Sequence, residues 1–309
     1  MRLKLTRNPL ESPEERESTD VQIRRLTHPS EILLYLENDR TYAASGIAHL
    51  EPELLDVSKW FLAADDDSLS LCLISKSAYG GSPNYLLTIG NSPTLDYLLE
   101  SQPLPGRALI TCKPQHLDII KRYYELTWYR LVKRMVATRE SFTAATEEAT
   151  RLRPPHARAL NQLYALHTGH YFSSHQIRHG VYYGVWRDDK LVAVAGTHLI
   201  SQSYGVAHVG NVLTHAAYRN QGLATICTSA VTDRLLDFCT EVVLDVEPQN
   251  LPAARAYASL GYQHDCHVIE ALGRRKCFVD DIIPKLCKKL GLGTKYKERM
   301  ELYGEGQNL

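Results

Sequence analysis

The stretch THAAYRNQGLATICTSAV, residues 214–231, places a guanidinium, a polar pair and a bare glycine between an apolar run and a long amphipathic segment. The run before it, VAHVGNVLT (206–214), reads as a strand. From Gln221 to Cys239 the apolar residues fall at Leu223, Ile226, Cys227, Ala230, Val231, Leu235 and Phe238, the spacing of a one-faced helix. A helix N-terminus presents unpaired N–H groups and a partial positive charge, so phosphates bind there. Gly222 and Ala224 are small enough to let a diphosphate reach the backbone, and Arg219 adds a charge with fork geometry. A plain strand-to-helix turn with a stray arginine is the other reading of the same residues. Two other phosphate loops do not fit, because neither GxxxxGK[ST] nor GxGxxG occurs.

Working outward, the second half continues the alternation. Helical spacing covers 154–167, and FSSHQIRHG (172–180) makes a second short helix stopped by Gly180. Strands follow at 181–187, 191–200 and 206–214, then the long helix, then an apolar central strand EVVLDVE at 241–247. A helix at 250–261 has Asn250 as its cap and Gly261 as its stop, and a last strand runs over 262–272. The order is ααβββαβαβ. The first half gives the same order: helices at 30–38 and 40–50, three strands ending in NYLLTIG (84–90), helix 92–101, strand 107–112, helix 114–124 and strand 127–138. The pattern predicts an α/β protein of two tandem domains, each a mixed twisted sheet flanked by helices. The expected divisions are a mobile lead-in at 1–20, a first domain at 21–145, a second at 151–272 and a helical tail at 273–309.

Bulk properties bound the function. The 309 residues suffice for about two domains. Lys plus Arg equals Asp plus Glu, 35 against 35, which argues against a nucleic-acid or anionic-membrane partner. No apolar run approaches the roughly 18 residues that span a bilayer, and the N-terminus lacks the apolar core of a secretory signal. Seven dispersed cysteines with no CxxC pair point to reduced thiols in the cytosol and to no metal site. In the tail, Ile282, Ile283, Leu286, Cys287 and Leu290 mark a short amphipathic helix that packs on the body or pairs two copies. Monomer and homodimer both remain open.

Two spaced motifs carry a resemblance. Arg219-Asn-Gln-Gly222-Leu-Ala224 is similar to the pyrophosphate loop Q/R-x-x-G-x-G/A of the GNAT superfamily of acyl-CoA-dependent N-acyltransferases, and Gly210 to Arg219 resembles the strand before it. Further on, Asn250, Ala253, Tyr257, Gly261 and Tyr262 match the family's N-x-x-A-x-x-x-Y-x-x-x-G-F/Y. The resemblance covers about 151–272, and the double layout looks like the glycine N-acyltransferase branch. It implies acetyl-CoA, or another acyl-CoA, as co-substrate, with no metal. It also implies transfer of the acyl group to a primary amine of a small molecule by direct attack. The implied cofactor contacts are Val212, Leu213, Thr214, Arg219, Asn220, Gln221, Gly222, Leu223, Ala224, Thr225, Asn250 and Tyr257. Tyr257 would serve the leaving thiolate, and a backbone N–H near Val212 would face the thioester oxygen. His208 is the candidate base, with Glu247 as rival. Asn211 would orient the acceptor, and Tyr171 and Phe172 would wall its site. The first half has TIGNSPTLDYLL where the loop belongs, without the Arg or the following Gly, and is expected to be a degenerate copy. An acyl-CoA-binding regulatory module and an acetyltransferase of protein amines are the alternative readings.

Overall fold

The computed structural model describes residues 21–76, 83–165 and 171–276. The lead-in, residues 77–82 and 166–170, and the tail from 277 lie outside the described residues. In the first half the chain forms β1 (Gln22–Leu26), α1 (Pro29–Leu36), α2 (Arg40–Ala48), α3 (Pro52–Leu55), β2 (Ser58–Ala64), β3 (Leu69–Ser75), β4 (Asn84–Gly90), α4 (Ser92–Ser101), β5 (Arg107–Cys112), α5 (Leu117–Tyr123) and β6 (Tyr124–Ala137). The second half repeats the order with β7 (Thr150–Arg151), α6 (Ala157–Ala165), α7 (Ser174–His179), β8 (Tyr183–Arg187), β9 (Lys190–Ser201), β10 (Val206–Thr214), α8 (Leu223–Leu236), β11 (Glu241–Val246), α9 (Leu251–Ser259) and β12 (Gln263–Arg275).

Local chemistry explains several of these boundaries. The β8–β9 hairpin turns on Asp188 and Asp189, both left-handed at φ 48° and 58°, as the twist of a tight hairpin requires. Asn250 caps α9 by accepting from the Ala253 amide at 3.3 Å, and Pro252 occupies the first turn. Gly261 has φ +89°, and a Cβ there would lie 1.8 Å from the Ser141 carbonyl oxygen, so only glycine lets the connector pass. The last strand runs three residues beyond its expected end at 272, because Gly273 and Arg274 still pair with Ala108 and Arg107 of β5.

The strands join one sheet, ordered β1-β2-β3-β4-β5-β12-β6-β11-β10-β9-β8-β7 among the described residues. Only β4–β5 and β10–β11 are parallel. The two halves exchange their last strands. β6, which closes the first half in sequence, pairs with β11 of the second, while β12 pairs with β5 of the first. β6 and β12 pair with each other from Tyr124–Arg275 to Val136–Gln263.

Helices cover both faces. α8 packs a core with Val209, Val242, Leu244 and Tyr257, and α4 and α5 do the same for the first half. α2 crosses the divide. Its residues Tyr42 to Ala48 are all buried, and it lies against β9, β10, β11, β6 and β12. Its core joins Ile47 and Leu87 of the first half to Val206 and Val243 of the second. The small residues Ala43, Ala44, Ser45 and Gly46 permit this approach, since a Cβ on Gly46 would stand 2.8 Å from Leu87 Cδ2. No helix among the described residues is long and apolar enough to cross a membrane.

Exchanged strands and a shared helix make the halves interdependent. Calorimetric unfolding of the whole chain is expected to give one cooperative transition; two resolved transitions would contradict the exchange.

Candidate active site

The pairing of β10 with β11 runs from Val206–Glu241 to Val209–Leu244 and then stops, although β10 continues to Thr214. On its other side β10 follows β9 with a register shift between Gly210 and Leu213, and Asn211 sits there at φ +52°. Asn211 and Val212 therefore belong to neither ladder. Their backbone groups border a cleft of about 320 Å³ between the diverging strands. The Asn211 carbonyl accepts from the Tyr164 hydroxyl at 2.6 Å. The groups at Val212 that neither ladder pairs demand partners, and a ligand chain can supply them.

Beyond β10 lies the loop to α8. Gly222 is the N-cap of α8, left-handed at φ +75°, with no side-chain cap, and a Cβ there would meet nothing within 4 Å. Arg219, Asn220, Gln221 and Gly222 are exposed, and Asn220 is also left-handed at φ 62°. Arg219 makes only a long contact, 3.4 Å from Nε to the Thr214 carbonyl. The first turn of α8, Leu223 to Thr225, has no side-chain cap and no acidic residue, and the exposed Arg219 stands in the loop before it. A helix N-terminus of this kind can receive an anion. Thr214 Oγ1 is buried without a partner at the base of the loop.

The sheet puts different chemistry on its two faces. Side chains alternate along strands. Val206 of β10, Val243 of β11, Val132 of β6 and Val268 of β12 all enter the core beneath α2. His208, Asp245, Glu247, Arg130, Arg134 and Glu270 stand on the same face by that alternation. Deep under α2, Arg134 is 1 % exposed and donates twice to Asp245, at 2.9 and 2.7 Å, and once to the Tyr42 carbonyl at 2.6 Å. Asp245 Oδ2 also lies 3.2 Å from His208 Nε2, while His208 Nδ1 faces Ser45 Oγ at 3.4 Å. Burial pushes the Asp245 carboxyl up, but Arg134 and then His208 more than reverse this, holding it well below the usual carboxylate range. Nearer the opening, Arg130 bonds Glu270 at 2.7 Å and Glu247 at 3.1 Å.

The α8 face supplies Tyr257. It belongs to the core with Leu244 and Val246, is 7 % exposed and lines the cleft. Burial pushes its hydroxyl up to about 12, so it stays protonated as a donor. Asn250 caps α9 and also lines the same cleft.

Val212, Asn211, His208, Glu247, Asn250 and Tyr257 thus meet at one cleft. Both nitrogens of His208 face protein groups. Two expected acceptor residues do not join them. Phe172 is 4 % exposed and packs at a tilt against Tyr164, ring centres 4.5 Å apart, inside the α6–α7 core, so it is a core residue rather than a wall of the cleft. Tyr171 is 78 % exposed and does not line the cleft. Sequence reasoning missed Arg130, Arg134, Asp245, Glu270 and Ser45. A lone aspartate inside the apolar run EVVLDV was the available signal for Asp245. Ser45, Arg130 and Arg134 come from the first half, whose Arg130 and Val132 line the cleft while Ser45 and Arg134 hold His208 and Asp245 from behind. The described cysteines are unbonded, and no group of three or more metal-ligating side chains occurs among the described residues.

Residues 143–262 match the Acetyltransferase (GNAT) family. Among solved structures, a Drosophila protein aligns at TM-score 0.60 and 14% identity, over 82% of this chain and 98% of its own. A GCN5-related N-acetyltransferase from Kribbella flavida aligns at TM-score 0.48 and 15% identity over 69% and 89%, and one from Sphaerobacter thermophilus at 0.47 and 13% over 83% and 96%. No curated protein matches the chain. The mixed sheet flanked by helices is a GNAT-like fold.

Asp245→Asn is expected to destabilise the protein by about 3–5 kcal/mol, since it leaves Arg134 buried without its counter-charge. An unfolded aspartate titrates near about 3.9 and the folded one lower, so the contribution is complete above about pH 4 and fades as pH falls through the folded value. Denaturant melts from pH 7 to 3 should show the gap between wild type and variant narrowing at the acid end.

Proposed function

We propose that this protein transfers an acyl group, acetyl in the first instance, from acyl-CoA to a primary amine of a small molecule by direct attack. The divergence of β10 and β11, with an uncapped helix N-terminus at one end and ionisable groups at the other, carries this reading. The diphosphate meets the amides of 222–225 and Arg219. The pantetheine arm lies along the loose backbone of Val212, Leu213 and Thr214, with Asn250 beside it, and an N–H at Val212 faces the thioester oxygen.

Glu247 is the better base of the two candidates. One of its oxygens bonds Arg130, and no group among the described residues engages the other. His208 is held at both ring nitrogens and serves to orient Asp245 and α2. Tyr257 serves the leaving sulfur. A thiol of pKa near 8.5 is a stronger acid than a tyrosine near 12, so Tyr257 steadies the thiolate by a hydrogen bond rather than by giving up its proton. The first half lends the cleft its Arg130 and has no comparable loop of its own. The setting proposed is the cytosol, as monomer or homodimer.

Titration calorimetry with acetyl-CoA is expected to show one micromolar site per chain. Gly222→Glu should abolish it with the fold intact, since a carboxylate then stands in the cradle; unchanged affinity would remove the pyrophosphate assignment. Tyr257→Phe should keep acetyl-CoA affinity and lower kcat about ten- to hundredfold, the worth of one charge-assisted hydrogen bond of about 1.5–3 kcal/mol. Full turnover in that variant would take Tyr257 off the reaction path.

A further inference from the structure

We propose that the acceptor is a diamine or polyamine whose second, non-reacting ammonium is held by Glu270. The proposal rests on the acyl-transfer reading above and names the substrate class of the same cleft. Four charged residues line the cleft: Arg130, Asp245, Glu247 and Glu270. Asp245 is spent on the buried Arg134, which leaves two carboxylates to one guanidinium. Arg130, the one lysine or arginine lining the cleft among the described residues, already lies between both of them. The surplus charge is negative, and it sits on the face opposite Tyr257.

The order of strands sets the spacing. Glu247 stands at the end of β11, next to the divergence where the thioester is attacked. Glu270 stands on β12, with β6 between them. The strands stand two spacings, about 10 Å, apart, and the two side chains lean toward the same guanidinium, which brings their bonded oxygens closer than that. Glu270 Oε2 takes both bonds from Arg130, and its Oε1 has no partner among the described residues. It is 24 % exposed at the side chain, within reach of a ligand in the cleft.

A carboxylate that grips the reacting nitrogen would hold it as ammonium and suppress attack. A carboxylate two strands away does not have this fault. It fixes the far end of a flexible cation and leaves the near nitrogen free to lose its proton to Glu247. An amino acid is the opposite case, since its carboxylate would face two glutamates and a guanidinium already claimed. The second sign of a ligand here is independent of charge. The Tyr257 hydroxyl, on a side chain more than nine-tenths buried, lines the same cleft and has no hydrogen-bond partner among the described residues.

The test uses the full-length protein and three acceptors of matched length whose far ends differ: putrescine, pentylamine and δ-aminovalerate, with thiol release from acetyl-CoA as readout. The expected order in kcat/KM is putrescine over pentylamine by at least about tenfold, with δ-aminovalerate last, and the first gap should shrink as salt rises. Glu270→Gln should cut the putrescine-to-pentylamine ratio about tenfold, mainly through KM for putrescine. Arg130→Gln should raise that ratio. A preference for δ-aminovalerate, or a ratio unmoved by Glu270→Gln, overturns the assignment. Binding of acetyl-CoA with no turnover of any of the three overturns it too and leaves the cofactor reading in place. Absence of acetyl-CoA binding overturns both.

Discussion

A guanidinium that is 1 % exposed must be paid for in full by its partners, and Arg134 is the point where the molecule does so. It reaches Asp245 on β11, the Tyr42 carbonyl on α2 and, through Asp245, His208 on β10. Four elements from both halves of the chain converge on that one cation. Strand β6 cannot leave the second half without stranding a buried aspartate, and α2 cannot lift without exposing the guanidinium. Breaking such a pair from one side is far costlier than never having built it, so the exchange of last strands is locked rather than merely permitted. The β10–β11 ladder ends at Val209–Leu244, so Asp245 is the first residue of β11 past the point of divergence. The tight cluster and the open cleft are thus adjacent parts of one strand pair.

Comparison of the two halves shows what keeps a cleft open. In the first half β4 and β5 also part, after Leu87–Thr111. Thr88 and Gly90 then stand where Gly210 and Val212 stand in the second half, counted from the last pair. There the gap is filled from within. His116 is fully buried, with Nδ1 3.1 Å from Thr88 Oγ1 and Nε2 2.9 Å from the Gly90 carbonyl, so the loose strand already has its partners. The connection to α4 is a single residue, Asn91, and Pro93 removes one amide from the first turn of that helix. The eight residues 215–222 that connect β10 to α8 have no counterpart. The Arg and Gly missing from the first half's sequence thus go with a connection of one residue in place of eight.

Much of this was legible in the residues because it was local. The strand–loop–helix at 206–236 follows from periodicity and one glycine, and Asn250 and Gly261 mark the limits of α9 by capping chemistry that acts within a few residues. What stayed hidden was set by pairing across long separations. β1, with QIRRL largely exposed, and the two-residue β7 carry no alternating apolar signal, so their strand character comes only from β2 and β8. β6 and β12 were read as strands, yet nothing in their own sequence states which sheet receives them. Phe172 follows the same rule: an aromatic in a short helical stretch suits a cleft wall and a core equally until Tyr164 and Tyr182 are seen around it.

The exchange also explains why the chemistry divides between the faces of the sheet. β11 carries Leu244 and Val246 toward α8 and Asp245 and Glu247 toward α2, so one strand serves two environments by its pleat alone. The α8 side is apolar, with Tyr257 kept neutral by burial. The α2 side is ionic because β6, inserted beside β11, brings Arg130 and Arg134 to meet those carboxylates. A sheet closed by its own half's last strand would place β12 there instead, with Cys266, Val268 and Glu270 on that face and no arginine among them. Asp245 would then be buried without a counter-charge, and the carboxylates at the opening would face no guanidinium. The first half thus acts on the cleft less as a neighbour that walls it than as the donor of the cations that make its ionic face affordable in free energy.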